Sequence, residues 1–447
     1  EYTIAVGGMW QKLWYSILNF FSSFVKNYDA VGTLASEDGD YESITVWIAR
    51  GREWGEVLKS LADETFLEQY KTSVALNILP SGQLNAGNVS ALMLAITSHH
   101  APDAAVGISY SDPVEYAYRD AIIDLTQFDD FEEAKDQFYD TMFVPYTYVK
   151  DGHEGVFALP ETMDFTVMMY RTDVFESLEL DVPETWDELL ALCDEIEAEG
   201  ILPFYMGYKD TWTCLSPWNS AVASLTSSTV CKDVNKGETT FSDQYVQVAE
   251  EMKTLLQYGE VNPVAYSYND ACTAFAKGES AMYMIGSYAV PQIQSVNPDI
   301  NIDSFVFPAS NNKDDMVLTS GVDLQFCVME DCPNKEAAYE VLRFLLEDEN
   351  VQDYIDNQNA VPCKKGDFKL ASMLDGMREY LDNGIVTDYQ DHFYPSEMAV
   401  DALIQTYLLD GDTEAFLKKF DTEWKRYNRD LITKVRKYEQ EHSGEEE

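Results

Sequence analysis

The most legible stretch of hydrophobic and polar patterning runs from Val156 to Ile196, VFALPETMDFTVMMYRTDVFESLELDVPETWDELLALCDEI. The apolar and aromatic run from Phe165 to Tyr170 predicts a strand, entered through an extended segment that a turn interrupts around Pro160. After Pro183 the period changes. Trp186, Leu189, Leu190, Cys193 and Ile196 recur at three and four, the spacing of a helix with one buried face. Thr185 can accept from the first-turn N–H groups while Glu188 reaches back to it, a capping box that starts the helix.

The same alternation continues on both sides. Upstream, Ile44 to Ile48 reads as a β-branched strand and Trp54 to Phe66 as a helix. Val74 to Leu79 and Ala104 to Ile108 read as strands around a helix from Leu84 to Ser98, and Tyr116 to Leu125 as a short helix with a following turn. Downstream, strands are expected at Leu202 to Gly207, Ala281 to Ile285, Ile302 to Phe307 and Leu324 to Val328. Helices are expected at Pro217 to Leu225, Ser242 to Tyr258, Asn269 to Lys277 and Lys335 to Leu346, with a mostly helical remainder to about Lys437. Strands alternating with helices define an α/β class, and the lack of any fixed-period repeat removes solenoids and propellers.

Length and charge narrow this picture. At 447 residues the chain suits two domains. Its 79 acidic and 30 basic residues give a net charge of −49, which repels nucleic acid and anionic membrane surfaces at long range. The seven cysteines are scattered singly, without metal-ligand spacing to the five histidines, so neither a disulfide framework nor a metal is expected. Phosphate-binding glycine loops and the GxSxG elbow are absent, and no cofactor is expected. The chain opens EYTIAVGG, without initiator Met or signal peptide. The aromatic-rich segment Met9 to Val25 falls short of the roughly 20 residues of a membrane span and reads as an amphipathic helix docking on a neighbouring domain, in preference to an interfacial membrane helix.

Aromatics near strand ends carry the candidate chemistry: Trp54, Trp212, Trp218, Tyr288 and Tyr394. A sugar offers an apolar C–H face for stacking and hydroxyls for bidentate polar groups. Core packing is the competing reading for each of these rings, weakest for Trp212 because Lys209, Asp210 and Thr211 beside it are unsuited to a core.

Four blocks carry a family resemblance: ITVWIARGREW, ALMLAITSHHAPDAAVG, FALPETMDFTVMMYRTDVF followed by PETWDEL, and AFAKGESAMYMIGSYAV, which fits F-x-x-G-x-A-A-M-x-x-x-G-x-W with Tyr288 at the aromatic position. In this order the chain resembles the family 1 extracellular solute-binding proteins, the sugar receptors of ABC importers, from about Ile44 to Asn428. The resemblance implies a two-lobed periplasmic-binding-protein-like fold with three crossovers, near Asp164 to Thr166, Phe307 to Ser310 and Ala360 to Asp367. It implies a first lobe of residues 44–163 plus 311–361 and a second of 164–310 plus 362–437, with 1–43 as N-terminal helix and linker and 438–447 as an acidic tail.

The resemblance further implies an extracellular, cell-surface receptor that binds a neutral mono- or oligosaccharide between the lobes, closes about its hinge and docks on a permease. Its contacts fall on Arg52, Glu53 and Trp54 after the first strand, Ser111 and Asp112 after the third, and Asp164 on the crossing strand. Asp210, Trp212 and Tyr288 follow in the second lobe, then Asp323 on the returning first lobe, and Tyr394 with Glu397 near the end. Residues ahead of Ile44 suggest an upstream region and a membrane tether through it. Two readings stand beside this one: a glycoside hydrolase using a carboxylate pair, and a surface glycan-adhesion module without transport.

Overall fold

The computed structural model describes residues 42–49, 66, 70–79, 91–109, 112–139, 142–143, 146–150, 152–358 and 360–442. The expected helices at Met9 to Val25 and Trp54 to Phe66 therefore lie outside the described residues, apart from Phe66. Ten strands order the site: β1 Glu42–Ala49, β2 Thr72–Leu79, β3 Ala104–Ser109, β4 Thr147–Lys150, β5 His153–Val156, β6 Leu159–Arg171, β7 Leu202–Phe204, β8 Ser280–Gly286, β9 Ile302–Phe305 and β10 Leu318–Val328.

The chain divides into two compact units. The first holds the described residues up to Thr162, with Val322–Asn357 and Pro362–Phe368; the second holds Met163–Gly321, Gln358–Val361 and the described residues from Lys369 on. The boundaries fall inside β6 and β10. The second crossover thus lies at Gly321, later than the Phe307 to Ser310 expected from the sequence, and residues 311–321 count with the second unit. They follow β9 into β10, whose first residues Leu318 and Thr319 pair with Val386 and Thr387 of the same unit.

In the first unit β2, β1 and β3 run parallel, and β10 closes them antiparallel against β3. Ile44, Val46, Trp47 and Ile48 of β1 are all buried, which is why this strand reads as a continuous apolar run rather than an alternation. The helix after β3 spans Asp112–Tyr118, earlier than the Tyr116 to Leu125 expected. Ile122 is taken instead by a bridge to Met329.

In the second unit β8 lies between β6, antiparallel, and β7, parallel, while β9 pairs with the later part of β6. The capped helix forms at Trp186–Ala198. Its box closes one residue further out than expected. Thr185 accepts from the Glu188 N–H at 3.3 Å, but the Glu188 carboxylate accepts from Glu184 N–H at 2.8 Å. Leu189, Leu192, Cys193 and Ile196 make its buried face, with Trp186 edge-on to Phe307 at its start. The stretch from 360 to 399, expected to be mostly helical, is largely turns and short 3-10 segments with one short α-helix, Arg378–Asp382; longer helix resumes at Val400–Asp410.

Candidate functional site

Strands β7 and β8 are parallel, Leu202 opposite Ser280 and Phe204 opposite Met282, so the chain leaves both at the same sheet edge. The carboxyl ends of parallel strands are where open α/β sheets present ligand loops. Here three rings meet. Trp212 lies 5.1 Å from Tyr268 and 6.0 Å from Tyr288, and the two tyrosines are 6.5 Å apart, all tilted rather than stacked. Trp212 keeps 40% and Tyr288 39% of its surface exposed, so both side chains reach the surface at this edge.

Each ring is held by its own local device. The loop after β7 is clamped by buried Glu260, whose two oxygens accept from Met206 N–H and Gly207 N–H, both at 2.8 Å. Gly207 takes φ +64° against the backbone of Ser267, where a Cβ would sit 2.7 Å from the Ser267 carbonyl oxygen. The Thr213 hydroxyl donates to the Asp210 carbonyl at 2.8 Å, and the Thr211 hydroxyl to Asp401, so the 3-10 turn Thr211–Cys214 that carries Trp212 is tied at both ends. Tyr268 is the first residue of the helix Tyr268–Lys277, fixed by a reciprocal capping box between Ser267 and Asp270. Its own N–H donates to the Asp210 carboxylate at 2.7 Å. Asp210 thus ties the Trp212 turn to the Tyr268 helix.

Tyr288 follows β8 on the turn Ser287–Ala289. A Cβ on Gly286 would stand 2.1 Å from the Tyr288 ring, so only glycine lets the ring fold back over this backbone. Gly286→Ala is therefore expected to expel the Tyr288 ring, at a cost of about 1–3 kcal/mol if the fold yields instead. Near-UV circular dichroism and Trp212 fluorescence report the movement; spectra identical to those of the parent chain would show that the ring does not depend on this glycine.

Asp164 comes to the same place through β6. Thr166 is opposite Gly286, which sets Ser287 beside Phe165 and Asp164. The Ser287 hydroxyl accepts from Phe165 N–H at 3.2 Å and approaches the Asp164 carboxylate at 3.4 Å. The Tyr389 hydroxyl donates to the Asp164 carbonyl at 2.7 Å. Burial foremost, then Cys272 and the Asp164 charge, hold the Tyr268 phenol far above its usual range. Its hydroxyl is hydrogen-bonded to the Cys272 side chain on the same helix, which holds the ring in place.

The structure thus gathers Asp164, Asp210, Trp212 and Tyr288. Tyr394 is a correction: it is buried in the second unit's core, its hydroxyl 3.2 Å from Trp218 Nε1 and 2.9 Å from the Tyr245 hydroxyl, and its ring packs on Phe420 and Trp424. Trp218 is fully buried in the same cluster. Glu397 is exposed on the short turn Ser396–Met398. Arg52, Glu53, Trp54 and Ser111 lie outside the described residues, as do the side chains of Asp112 and Asp323, whose backbones start the Asp112–Tyr118 helix and lie in β10. Tyr268 and Tyr389 escape a reading based on lone aromatics; the S-Y-N-D capping box at 267–270 is the signal that marks Tyr268 as a helix-start residue.

This fold is that of an extracellular solute-binding protein. The chain belongs to the bacterial extracellular solute-binding proteins, whose family pattern matches residues 49–352. It is 26% identical over 224 residues to the multiple sugar-binding protein of Streptococcus mutans, a match covering 48% of this chain and 53% of that protein. The chain spans about half the length of the curated relatives it matches. Among solved structures it is similar to the apo form of RafE from Streptococcus pneumoniae, with TM-score 0.71 and 22% identity over 87% of this chain and 98% of that one. RafE has also been solved with raffinose, with TM-score 0.67 and 23% identity over 86% of this chain and 98% of that one. A chitin oligosaccharide binding protein gives TM-score 0.71 and 18% identity over 87% of this chain and 100% of that one. These likenesses establish the two-lobed α/β fold.

Proposed function

We propose that this chain is the carbohydrate receptor of an ABC importer and binds a neutral mono- or oligosaccharide without chemical turnover. The observation that carries the reading is the meeting of Trp212, Tyr268 and Tyr288 beside Asp164 at the carboxyl ends of β7 and β8, with Trp212 and Tyr288 partly exposed. Partly exposed rings stack on the C–H face of a pyranose, and carboxylate groups beside them take its hydroxyls. The names of the similar proteins, which specify multiple sugars, raffinose and chitin oligosaccharides, support the same ligand class. Arg52, Glu53, Trp54, Ser111, Asp112 and Asp323 supply further polar and stacking contacts on this reading, an assignment that rests on the resemblance alone. Delivery to a permease at the cell surface, through a membrane tether, belongs to the same proposal. Among the described residues no helix is long and apolar enough to cross a membrane.

A glycan array followed by titration calorimetry tests the proposal. The expected result is saturable binding of a sugar that is recovered intact. Release of reducing ends would replace the receptor with a hydrolase, and an array without a single binder would remove the sugar.

A further inference from the structure

The first unit carries a second concave region, a cleft of about 560 Å³, away from the strand ends that hold ligand loops. Tyr70 and Thr72 line it at the start of β2, and Asn334, Glu336, Tyr339 and Glu340 line it from the first turns of the helix Lys335–Leu345. Because β1 and β2 run parallel, the start of β2 is the amino edge of this sheet, the opposite edge from the one where α/β folds bind substrates.

Two properties of the cleft point to a ligand. Asp129, Asp130, Glu336 and Glu340 all face it, and its neighbouring cation Arg343 is already shared between Asp130 at 2.5 Å and Glu340 at 3.2 Å. Asp129 and Glu336 have no ion pair among the described residues. Independently, Tyr339 is 2% exposed and its hydroxyl has no hydrogen-bond partner among the described residues. A buried hydroxyl without a partner is destabilising, so an oxygen held this way gains from any donor that reaches it. Burial first, then the charge of Asp130, with Arg343 opposing and Glu340 adding, displaces the Tyr339 phenol upward, which places its hydroxyl within the field of the same carboxylates. Phe128 stacks flat on the Tyr339 ring at 4.1 Å and gives the cleft an apolar wall.

We propose that this cleft binds a small organic cation, an alkylammonium or alkylguanidinium, whose N–H groups meet the carboxylates and the Tyr339 oxygen while its alkyl body lies along Phe128. Carboxylates supply the charge, the hydroxyl a directional acceptor, and the ring the apolar contact. An anionic ligand is excluded by the same four carboxylates. The site is separate from the aromatic trio, so its occupancy does not depend on the sugar reading.

Calorimetry with agmatine on the full chain, at low and at physiological salt, tests this. One saturable site is expected. The double variant Asp129→Asn/Glu336→Gln should weaken it about tenfold or more, since two charge-assisted contacts are lost. Glu195→Gln/Glu199→Gln, the same charge change on exposed positions of the second unit, should leave it unchanged. Tyr339→Phe should weaken agmatine binding while raising the melting temperature of the free protein, because it removes the unsatisfied hydroxyl. No saturable binding, equal weakening by both double variants, or unchanged affinity in Tyr339→Phe would each overturn the proposal. An acetyl-Lys-Arg-Lys amide peptide run in parallel distinguishes the sources: tighter binding of the peptide assigns the cation to a protein side chain, and tighter binding of agmatine to a free amine.

Discussion

Trp212→Ala is expected to weaken sugar binding about 30- to 150-fold, or about 2–3 kcal/mol, while the melting temperature falls by less than about 2 °C. The separation of the two effects follows from where the ring sits. With 40% of its surface exposed and no place in the second unit's buried core, Trp212 borders solvent, so its loss opens a surface depression rather than an enclosed cavity. Its neighbours are held without it: Tyr268 by its helix cap and Asp210, Tyr288 by the close approach to Gly286. What disappears is a partly exposed aromatic ring. Trp218→Ala is the matched contrast, because Trp218 is fully buried between Tyr245, Phe416 and Phe420. That variant is expected to lose about 3–5 kcal/mol of stability. If Trp212→Ala instead unfolds several degrees early with unchanged affinity, Trp212 is a packing residue and the platform must be assigned elsewhere.

The contrast between these two tryptophans shows what can be read before folding. Trp212 sits among Lys209, Asp210 and Thr211, and such neighbours expose a ring whichever element carries it. Trp218 and Tyr394 stand near segment ends in the sequence and look equally available. Their burial is decided by the helix Thr413–Tyr427, which begins 195 residues after Trp218 and 19 after Tyr394 and whose Phe416, Phe420 and Trp424 close over them. Periodicity carries no information at those separations. Local signals fared well for the same reason that they are local. The β1, β2, β3, β6 and β8 strands and the Thr185 cap depend on residues within a few positions of one another. The second crossover moved from Phe307 to Gly321 because residues 311–321 are turn and strand whose partners, Val386 and Thr387, lie in a stretch with no periodic pattern at all. Asp164 was legible by resemblance, but its setting beside Ser287 and Tyr389 comes from strand register and a distant turn.

Glu251→Gln is expected to stabilise the protein by about 3 kcal/mol at pH 7 and to have little effect at pH 4.5 or below. Glu251 lies on the helix Val246–Leu255, 5% exposed; one carboxyl oxygen accepts from the Gln247 amide at 3.0 Å and the other has no partner among the described residues. Burial pushes its pKa from 4.5 to about 8, the Gln247 hydrogen bond opposing only in part. The sign follows from the two states. Below pH 4.5 both folded and unfolded chains hold the proton, and the residue costs nothing extra. Between pH 4.5 and 8 the unfolded chain releases it while the folded chain keeps it, so stability falls by about 1.4 kcal/mol per pH unit; above pH 8 both are ionised and the loss levels off. Glutamine stays neutral throughout and keeps the shape, so the melting temperatures of parent and variant should coincide near pH 4.5 and diverge steadily toward pH 8. Two melting curves that remain parallel over that range would show that Glu251 is ionised in the folded state, and a counter-charge would then have to reach its second oxygen.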